Sequence, residues 1–232
     1  MTFTVIIPTL NEASVIETTL RLTSRLGFDD IVVVDGGSSD GTPMIVDSVK
    51  ADFDSPPIRL ITAPRGRAVQ LNVGARASVH EVLLFLHADS RLPLDARPLI
   101  RQALADPQVV GGRFDIRFDS PSRWGRVIAR CMNLRSRLSR ISTGDQAIFV
   151  RRTVFDHLGG FPDIPIMEDV EFSARLKRLG PTVALRSFVT TSFRRWERQG
   201  PLRTIVLMWT LRFLYWIGVS PATLSRWYGA VR

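Results

Sequence analysis

The sequence has very little cysteine and lysine, and it lacks a long uninterrupted apolar run. Cys131 is the single cysteine among 232 residues, which excludes an internal disulfide, and no Cys or His partners for a zinc site lie near it in the sequence. We therefore expect a reducing, cytoplasmic environment. The first residues also lack a basic segment, a long apolar segment and a small-residue cleavage site, so we expect no cleaved secretion signal.

The amino-acid composition is not extreme in any residue class that marks non-globular proteins. Hydrophobic residues make up 45% and charged residues 23% of the chain, close to the globular average, which excludes disordered, collagen-like and low-complexity proteins. A length of 232 residues is typical of one sizeable domain, alone or with an appendage.

Positive charge is concentrated at the C-terminal end. Residues 186–232 contain eight arginines and one acid, Glu197, whereas residues 1–185 are nearly balanced. The same segment holds four of the five tryptophans and both tyrosines. Arginine among interfacial aromatic residues favours an anionic membrane surface over nucleic acid, so we expect no nucleic-acid partner. The scarcity of lysine also fits a plain preference for arginine across the genome.

The apolar segment from Leu202 to Gly218 allows three arrangements. A membrane-spanning helix needs about 20 apolar residues, and this segment is shorter and interrupted by Arg203 and Arg212, so the sequence favours spanning least. Packing on the rest of the chain or in a homodimer interface is the second arrangement. Peripheral docking on the inner face of the membrane is the third, and the residues favour it as much as packing.

The first 110 residues alternate short apolar runs with segments of helical period. The runs are rich in β-branched residues, which is typical of strands covered on both faces. The alternation predicts an α/β fold with a doubly wound, mostly parallel sheet and helices on both faces. The predicted strands are Phe3–Ile7, Ile31–Val34, Ile58–Ile61 and Val82–Leu86, and the predicted helices are Ala13–Leu26, Thr42–Val49 and Ala68–Ala77.

Residues 111–200 are less regular. Gly111–Phe118 alternates like a strand, and Glu168–Leu179 begins with acids and ends with basic residues, which matches a helix dipole. A basic amphipathic helix at Trp124–Leu138 and a short strand at Ala147–Val150 are also predicted. We therefore divide the chain into residues 1–110, residues 111–200 and a helical tail of apolar and basic residues at 201–232.

Polar clusters follow three of the predicted strands. They are Pro8–Glu12, Asp35–Thr42 and His87–Asp89. In an open parallel sheet ligands bind outside the carboxyl ends of the strands, so the clusters together predict one polar, nucleotide-type pocket. Each cluster alone is equally typical of helix caps or turns. The chain has neither a lysine-containing phosphate loop nor a Gly-x-Gly-x-x-Gly after the first strand.

His87 and Asp89 form a candidate site for a divalent cation. A carboxylate here could hold Mg²⁺ or Mn²⁺ together with a diphosphate, since these ions complete their shells with phosphate oxygens and water. His87 points to the same side of an extended segment as Asp89, as a second ligand or a substrate contact. Capping by Asp89 is the other interpretation.

Glu168 and Asp169 follow a proline-containing loop and open a predicted helix. Acids in a first turn complement the helix dipole. A carboxylate held near a substrate hydroxyl is also what a transferase needs as a general base. These residues by themselves leave both interpretations open.

Taken in order, these motifs resemble family 2 glycosyltransferases. The resemblance covers about four-fifths of the chain and rests on Val5–Glu12, Ile31–Thr42, Leu84–Asp89, Gly159–Phe161 and Glu168–Asp169. It implies a GT-A fold and an inverting, metal-dependent enzyme. That enzyme would move a sugar from a nucleotide-sugar donor, a UDP-sugar before others, to a small or lipid acceptor.

The resemblance also implies roles for single residues. It implies that the donor is bound by Thr9, Glu12, Asp35, Arg67 and Asp89. It implies that Asp89 binds the metal ion together with His87, which stands where the family's motif has its first aspartate. Asp169 matches the general base and Glu168 is its neighbour. On the acceptor side we expect Asp145, Gln146, Arg195 and Trp196.

Closer features resemble a bacterial subgroup that is associated with radical-SAM partners and assigned to arsenosugar biosynthesis. They are His87–Ser90, Thr143–Gln146, Met167–Asp169 and Thr191–Trp196. Ser192 stands where processive members have glutamine, which disfavours polymer synthesis.

Two other functions fit parts of the sequence. A sugar-phosphate nucleotidyltransferase uses a similar α/β sheet, but it is expected to carry a glycine-rich basic loop where this chain has Pro8–Glu12. A nonenzymatic, peripheral membrane-binding module would need only the basic tail.

Overall fold

The computed structural model describes residues 1–230, which form ten α-helices and one eight-stranded sheet in the order β3-β2-β1-β4-β7-β6-β8-β5. The strands are β1 (Phe3–Thr9), β2 (Asp30–Asp35), β3 (Ile58–Thr62), β4 (Val82–Phe85), β5 (Ser90–Arg91), β6 (Gly111–Phe118), β7 (Phe149–Arg151) and β8 (Thr182–Thr191). The helices are α1 (Ile16–Ser24), α2 (Thr42–Ala51), α3 (Arg67–Ala77), α4 (Ala96–Ala103), α5 (Arg123–Ser139), α6 (Arg152–His157), α7 (Glu168–Leu179), α8 (Arg194–Gln199), α9 (Pro201–Trp216) and α10 (Pro221–Ala230).

The predicted doubly wound, mostly parallel sheet is confirmed. β1 lies between β2 and β4 and is parallel to both. Its side chains alternate between two cores: Val5 and Ile7 pack with α1 and α2, and Ile6 packs with α3 and α7. Because both faces are covered, every position can be apolar, and each buried side chain of this size stabilises the fold by roughly 1.5–3 kcal/mol.

The second half of the sheet is mixed. β7 is antiparallel to both β4 and β6, β6 runs parallel to β8, and β8 is antiparallel to the two-residue β5. The sequence analysis did not predict β8, because most of its residues are only half-buried and Arg186 and Ser187 interrupt its apolar pattern. It also missed β5, α4, α6 and α8, which are short, whereas α10 falls within the predicted helical tail.

Gly74 lets α3 approach the sheet closely. A Cβ at this position would lie 2.5 Å from Cγ2 of Ile6 and 3.0 Å from Cγ2 of Val34. Glycine therefore fixes the spacing between α3 and the centre of the sheet, and with it the position of the site residues that α3 carries.

The tail packs on the rest of the chain through α9 and α10. Leu211 and Leu224 are buried against Met167, and the hydroxyl of Tyr215 donates to Oε2 of Glu171 at 2.8 Å. Burial and this hydrogen bond raise the pKa of Tyr215 to about 12. Within residues 1–230 no helix has the length and apolar character that crossing a bilayer requires. The last two residues of the predicted tail, 231–232, lie outside the described residues.

Candidate functional site

The loops after β1 and β2 are joined by hydrogen bonds at the carboxyl edge of the sheet. Asn11 has a left-handed backbone (φ 58°) and accepts from the backbone N–H of Ser39 at 2.9 Å. Thr42 accepts from the N–H of Glu12 at 2.9 Å, and Asp40 accepts from the N–H of Ala13 at 3.0 Å. The first two predicted polar clusters therefore form one structure.

Asp35 stabilises its own loop. Its buried carboxylate accepts from the backbone N–H groups of Gly37 and Ser38 at 2.9 and 2.8 Å, and from the hydroxyls of Ser38 and Thr9 at 2.5 and 3.1 Å. Gln70 reaches the same place from α3 and donates to the carbonyl oxygens of Thr9 and Val34, both at 2.8 Å. Thr9 and Asp35 thus form one rigid end to β1 and β2.

Asp89 lines a cavity of about 130 Å³ between α1 and the segment that follows β8. Ser14, Thr18, Arg91 and Arg194 are among its other lining residues. Arg194 also lies 3.8 Å from Oε2 of Glu12. The cavity therefore connects the polar cluster at His87–Asp89 with the one at Pro8–Glu12. Asp35 and Asp169 do not line it.

Burial raises the pKa of Asp89, the positive charge of Arg194 opposes the rise, and Asp145 adds to it. Burial also raises the pKa of Asp145, a hydrogen bond from Thr143 opposes this, and Asp169 adds to it. Gly144, next to Asp145 in the chain, binds Asp169 and lies against His87, two residues before Asp89, so the segments that carry these three carboxylates meet in one region.

Gly144 lies between His87 and Asp169. Its backbone N–H donates to Oδ2 of Asp169 at 2.7 Å, and a Cβ on it would lie 2.5 Å from Nε2 of His87. Burial, and then the charge of Arg67, lower the pKa of His87 to about 3. The imidazole is therefore neutral at physiological pH, which is the form of histidine that binds metals.

Hydrogen bonds among its own residues stabilise the turn at Gly144–Gln146. The backbone N–H of Thr143 donates to Oε1 of Gln146 at 3.1 Å, and the hydroxyl of Thr143 donates to Asp145 at 2.5 Å. Gln146 is fully buried. Its visible role is to shape the turn that presents Asp145 and the Gly144 N–H.

Glu168 and Arg67 form an ion pair across 101 residues of sequence, with Nη1 and Oε1 3.0 Å apart. Glu168 is buried, which raises its pKa, and Arg67 opposes the rise. Asn72 donates to the carbonyl of Phe161 at 2.8 Å and accepts from its N–H at 2.9 Å. α3 thereby fixes the loop that leads to Glu168 and Asp169.

Arg195 and Trp196 lie beside the tail. The guanidinium of Arg195 stacks 4.5 Å above the ring of Tyr228 and donates to its hydroxyl. Trp196 stacks on Phe193 and contacts Phe118. α10 thus contacts Arg195, one of the residues predicted for the acceptor side.

Asp89 fits a metal ligand in one respect. Among residues 1–230 its carboxylate receives a side-chain hydrogen bond only from Ser90, at 3.4 Å, and Asp89 lines the cavity. No group of three or more His, Cys, Asp or Glu side chains in that part of the chain has a metal-binding arrangement. An ion held here would take most of its ligands from a diphosphate and water, as Mg²⁺ and Mn²⁺ commonly do.

The structure brings together most of the predicted site residues in pairs. Thr9 contacts Asp35, Arg67 contacts Glu168, and Asp89, Asp145 and Asp169 interact through their charges. Two neighbours were missed: Gln70 and Tyr228. Gln70 is a buried polar residue on a helix and Tyr228 is an aromatic residue of the tail, so no local signal marks either of them as part of a site.

Comparison with protein families gives one match that covers more than half of the chain. The family model described as glycosyl transferase family 2 matches residues 4–161. No curated protein matches the sequence.

Similar solved structures include a mannosyltransferase, PcManGT from Pyrobaculum calidifontis, in complex with GDP-Man and Mn²⁺, which is 25% identical with a TM-score of 0.66. The match covers 82% of this chain and 56% of that one. S. aureus TarS 1–349 in complex with UDP is 18% identical with a TM-score of 0.67, over 83% and 60% of the two chains. This chain therefore spans less than two-thirds of the length of either.

Glucosyl-3-phosphoglycerate synthase from Mycobacterium tuberculosis, in complex with Mn²⁺, UDP and glucosyl-3-phosphoglycerate, is also similar. It is 18% identical with a TM-score of 0.62, over 89% of this chain and 77% of that one. At this identity the likeness concerns the fold.

Proposed function

The chain belongs to glycosyl transferase family 2, and we propose that it is an inverting, metal-dependent glycosyltransferase that uses a nucleotide-sugar donor. UDP-sugars are the first donor class to test, and the acceptor is a small molecule or a lipid. The observation that carries the proposal is that the segments of Asp89, Asp145 and Asp169 meet around Gly144, beside the joined loops of β1 and β2. Residues 1–110 would bind the donor and residues 111–200 the acceptor.

We assign the general base to Asp169. Its Oδ2 accepts from the N–H of Gly144 and its Oδ1 from the N–H of Val170, so the carboxylate is held in one orientation. In the reaction it would take the proton of the acceptor hydroxyl while that oxygen attacks the anomeric carbon from the face opposite the leaving nucleotide. Attack from that face inverts the configuration.

The donor would lie along the carboxyl edge of the sheet. Thr9, Glu12 and Asp35 would shape the nucleoside pocket, with Asp35 fixing the loop that the nucleoside contacts. Arg67 would contact the diphosphate, held in place by Glu168. Asp89 and His87 would hold a Mn²⁺ or Mg²⁺ ion, whose charge stabilises the departing diphosphate when it is bound.

The acceptor side would include Asp145, Gln146, Arg195 and Trp196. Asp145 follows Gly144, whose backbone N–H binds Asp169, whereas Gln146 would act by shaping the turn. The motifs shared with the radical-SAM-associated subgroup support an acceptor from arsenosugar biosynthesis.

A thermal-shift panel tests the donor. We expect one nucleoside diphosphate, UDP before others, to raise the melting temperature by about 5–10 °C at 100 times its Kd, and only with Mn²⁺ or Mg²⁺. The matching nucleoside without phosphates is the control. If no nucleoside diphosphate shifts the melting temperature with either metal, the proposed function is wrong.

We also propose that the outer face of α9 docks on an anionic membrane surface. Leu202, Val206, Trp209, Phe213 and Trp216 recur at helical spacing on this face, and all are more than half exposed. Exposed aromatic residues with arginines nearby are typical of interfacial helices.

Vesicle sedimentation tests this docking. We expect the chain to pellet with vesicles that contain phosphatidylglycerol at low salt, to pellet less at high salt, and to lose most binding as the Trp209→Ser/Trp216→Ser variant. Leu94→Ser, which changes an equally exposed apolar residue outside the tail, is the control and is expected to bind normally. A stable homodimer in solution without vesicle binding would contradict the proposal.

A further inference from the structure

A second cavity, of about 90 Å³, lies where the end of α5 meets the start of β8. It shares no lining residue with the cavity at Asp89. Among residues 1–230 no acidic side chain lines it, and most of its wall consists of arginines and hydroxyl side chains. These residues are Arg113, Arg137, Arg140, Ser136, Ser142 and Thr182.

The arginines of this cavity carry more charge than the described residues neutralise. Arg113 and Arg137 bind the two oxygens of one carboxylate, that of Asp115, and Nη2 of Arg137 lies 2.6 Å from Oδ2. The side chain of Arg140 is exposed and forms no hydrogen bond or ion pair within residues 1–230. Three guanidinium groups therefore share one carboxylate, and two positive charges remain uncompensated.

Several donors in the wall also lack acceptors. Arg137 donates through Nη1 to the carbonyl of Ala184 and through Nη2 to Asp115, which leaves its Nε without a partner within residues 1–230. The hydroxyls of Ser142 and Thr182 form no hydrogen bond in that part of the chain either. These three residues are only partly buried, so a ligand from solvent can reach them.

The carbonyl oxygens around the cavity, in contrast, already have donors. The carbonyl of Ser136 accepts from the N–H of Arg140 at 3.0 Å, and that of Ser139 accepts from Nζ of Lys177 at 3.1 Å. On β8, the carbonyl of Ala184 accepts from Arg137 at 3.1 Å. The site therefore offers positive charge and N–H and O–H donors, which are the groups that bind an anion.

The backbone of Arg140 points to a role for its side chain. Arg140 follows the last residue of α5 and has a left-handed backbone, with φ 58°. Glycine and asparagine adopt this conformation at the end of a helix with less strain than other residues. No contact of the Arg140 side chain within residues 1–230 compensates for that strain, so stability alone does not explain an arginine here.

We propose that Arg137, Arg140 and the hydroxyls of Ser142 and Thr182 bind a phosphate group, either free phosphate or a phosphate monoester. The cavity has room for a few water molecules, at about 30 Å³ each, which suits one small oxyanion and is too small for a nucleotide. Guanidinium groups bind phosphate oxygens through charge-assisted hydrogen bonds, which are the strong ones. The proposal does not depend on glycosyl transfer, because none of the residues assigned to donor, metal or acceptor lines this cavity.

A bound phosphate would also fix the segment that leads to Gly144. The carbonyl of Ser142 accepts from the hydroxyl of Ser173 at 3.2 Å, and the same hydroxyl donates to the carbonyl of Asp169 at 2.8 Å. The N–H of Gly144 binds the carboxylate of Asp169. We therefore expect phosphate to slow backbone hydrogen exchange at residues 140–146.

Calorimetric titration of the full chain with inorganic phosphate is the direct test. We expect Arg140→Asn to weaken phosphate binding about 10-fold or more, the usual contribution of one hydrogen bond to a charged group. Its melting temperature should equal or exceed that of the wild type, because asparagine tolerates the left-handed backbone. Arg140→Lys keeps the charge and should bind phosphate more tightly than Arg140→Asn does.

The control is Arg130→Gln, which removes the same charge from an exposed position of α5 and should bind phosphate as the wild type does. Equal phosphate binding by Arg140→Asn and the wild type would overturn the site. A lower melting temperature of Arg140→Asn with unchanged phosphate affinity would assign Arg140 a structural role instead.

Competition separates this site from the nucleotide pocket. An excess of the nucleotide that gives the largest thermal shift, with Mg²⁺, should leave phosphate affinity and the slower exchange at residues 140–146 unchanged. Displacement of phosphate by the nucleotide would place the anion in the donor pocket and overturn the proposal. Phosphate binding through Arg140 without any nucleotide-dependent thermal shift would support this site, although the proposed function would then be wrong.

Two further ligands distinguish the sources of the phosphate group. Glycerol 3-phosphate is a soluble monoester, tested by calorimetry, and vesicles that contain phosphatidic acid present one at a lipid surface, tested by sedimentation. Weaker binding of either ligand by Arg140→Asn than by Arg130→Gln supports the site and names its source. Equal binding of both ligands by the two variants contradicts a monoester as the ligand.

Discussion

Asp169→Asn is expected to lower the turnover number about 10²-fold to 10⁴-fold, the usual effect of losing a well-placed general base. Asparagine can still accept from the N–H of Gly144, which Asp169 binds at 2.7 Å, so the loop should keep its shape. It has no basic oxygen that could take the acceptor proton. Nucleotide binding in the thermal-shift panel should therefore stay close to that of the wild type.

The matched control is Asp163→Asn, which removes an exposed carboxylate from the loop before α7. It is expected to leave turnover unchanged. Turnover by Asp169→Asn equal to that of the wild type would mean that another group takes the proton. A loss of nucleotide binding along with turnover would mean that Asp169 acts by holding the site together.

Asp89→Asn is expected to abolish the metal-dependent part of the thermal shift and to lower turnover by about 10²-fold to 10³-fold, as when one charge-stabilising group is removed from a site. Asparagine is the same size as aspartate and can still accept from Ser90, so the cavity should keep its shape. The missing negative charge weakens binding of a hard divalent cation. Metal titration of the nucleotide-bound chain measures the loss.

Asp47→Asn serves as the control for this variant, because it removes an exposed carboxylate on α2. It should bind metal and nucleotide as the wild type does. An unchanged metal-dependent shift in Asp89→Asn would exclude Asp89 as a ligand. Partial recovery of turnover at high Mn²⁺ concentration would support the assignment, because mass action offsets a weakened site.

Local sequence patterns predicted the first half of the fold well. β1, β2 and β4 are apolar at successive positions because helices cover both faces of the sheet, and only a buried parallel arrangement makes such runs stable. The same topology brings the polar residues after β1 and β2 to one edge, where Glu12 meets Thr42. α7 occupies Glu168–Leu179 as predicted, because its charges follow the helix dipole at both ends.

The sequence predicted the structure less well where the side chains are only partly buried. β8 has mostly half-buried positions, so its strand period is faint in the sequence. The tail allowed more than one arrangement from composition alone, and the structure packs one of its faces against Met167 while the other stays exposed.

The sequence by itself determined the apolar strands, the order of the motifs and the membership of the family, because periodicity and spacing are properties of neighbouring residues. Only the tertiary structure decided which distant side chains meet. Arg67 reaches Glu168 across 101 residues, and Asn72 binds the backbone of Phe161 across 89 residues. Such pairs depend on how whole helices pack, and no local pattern encodes that packing.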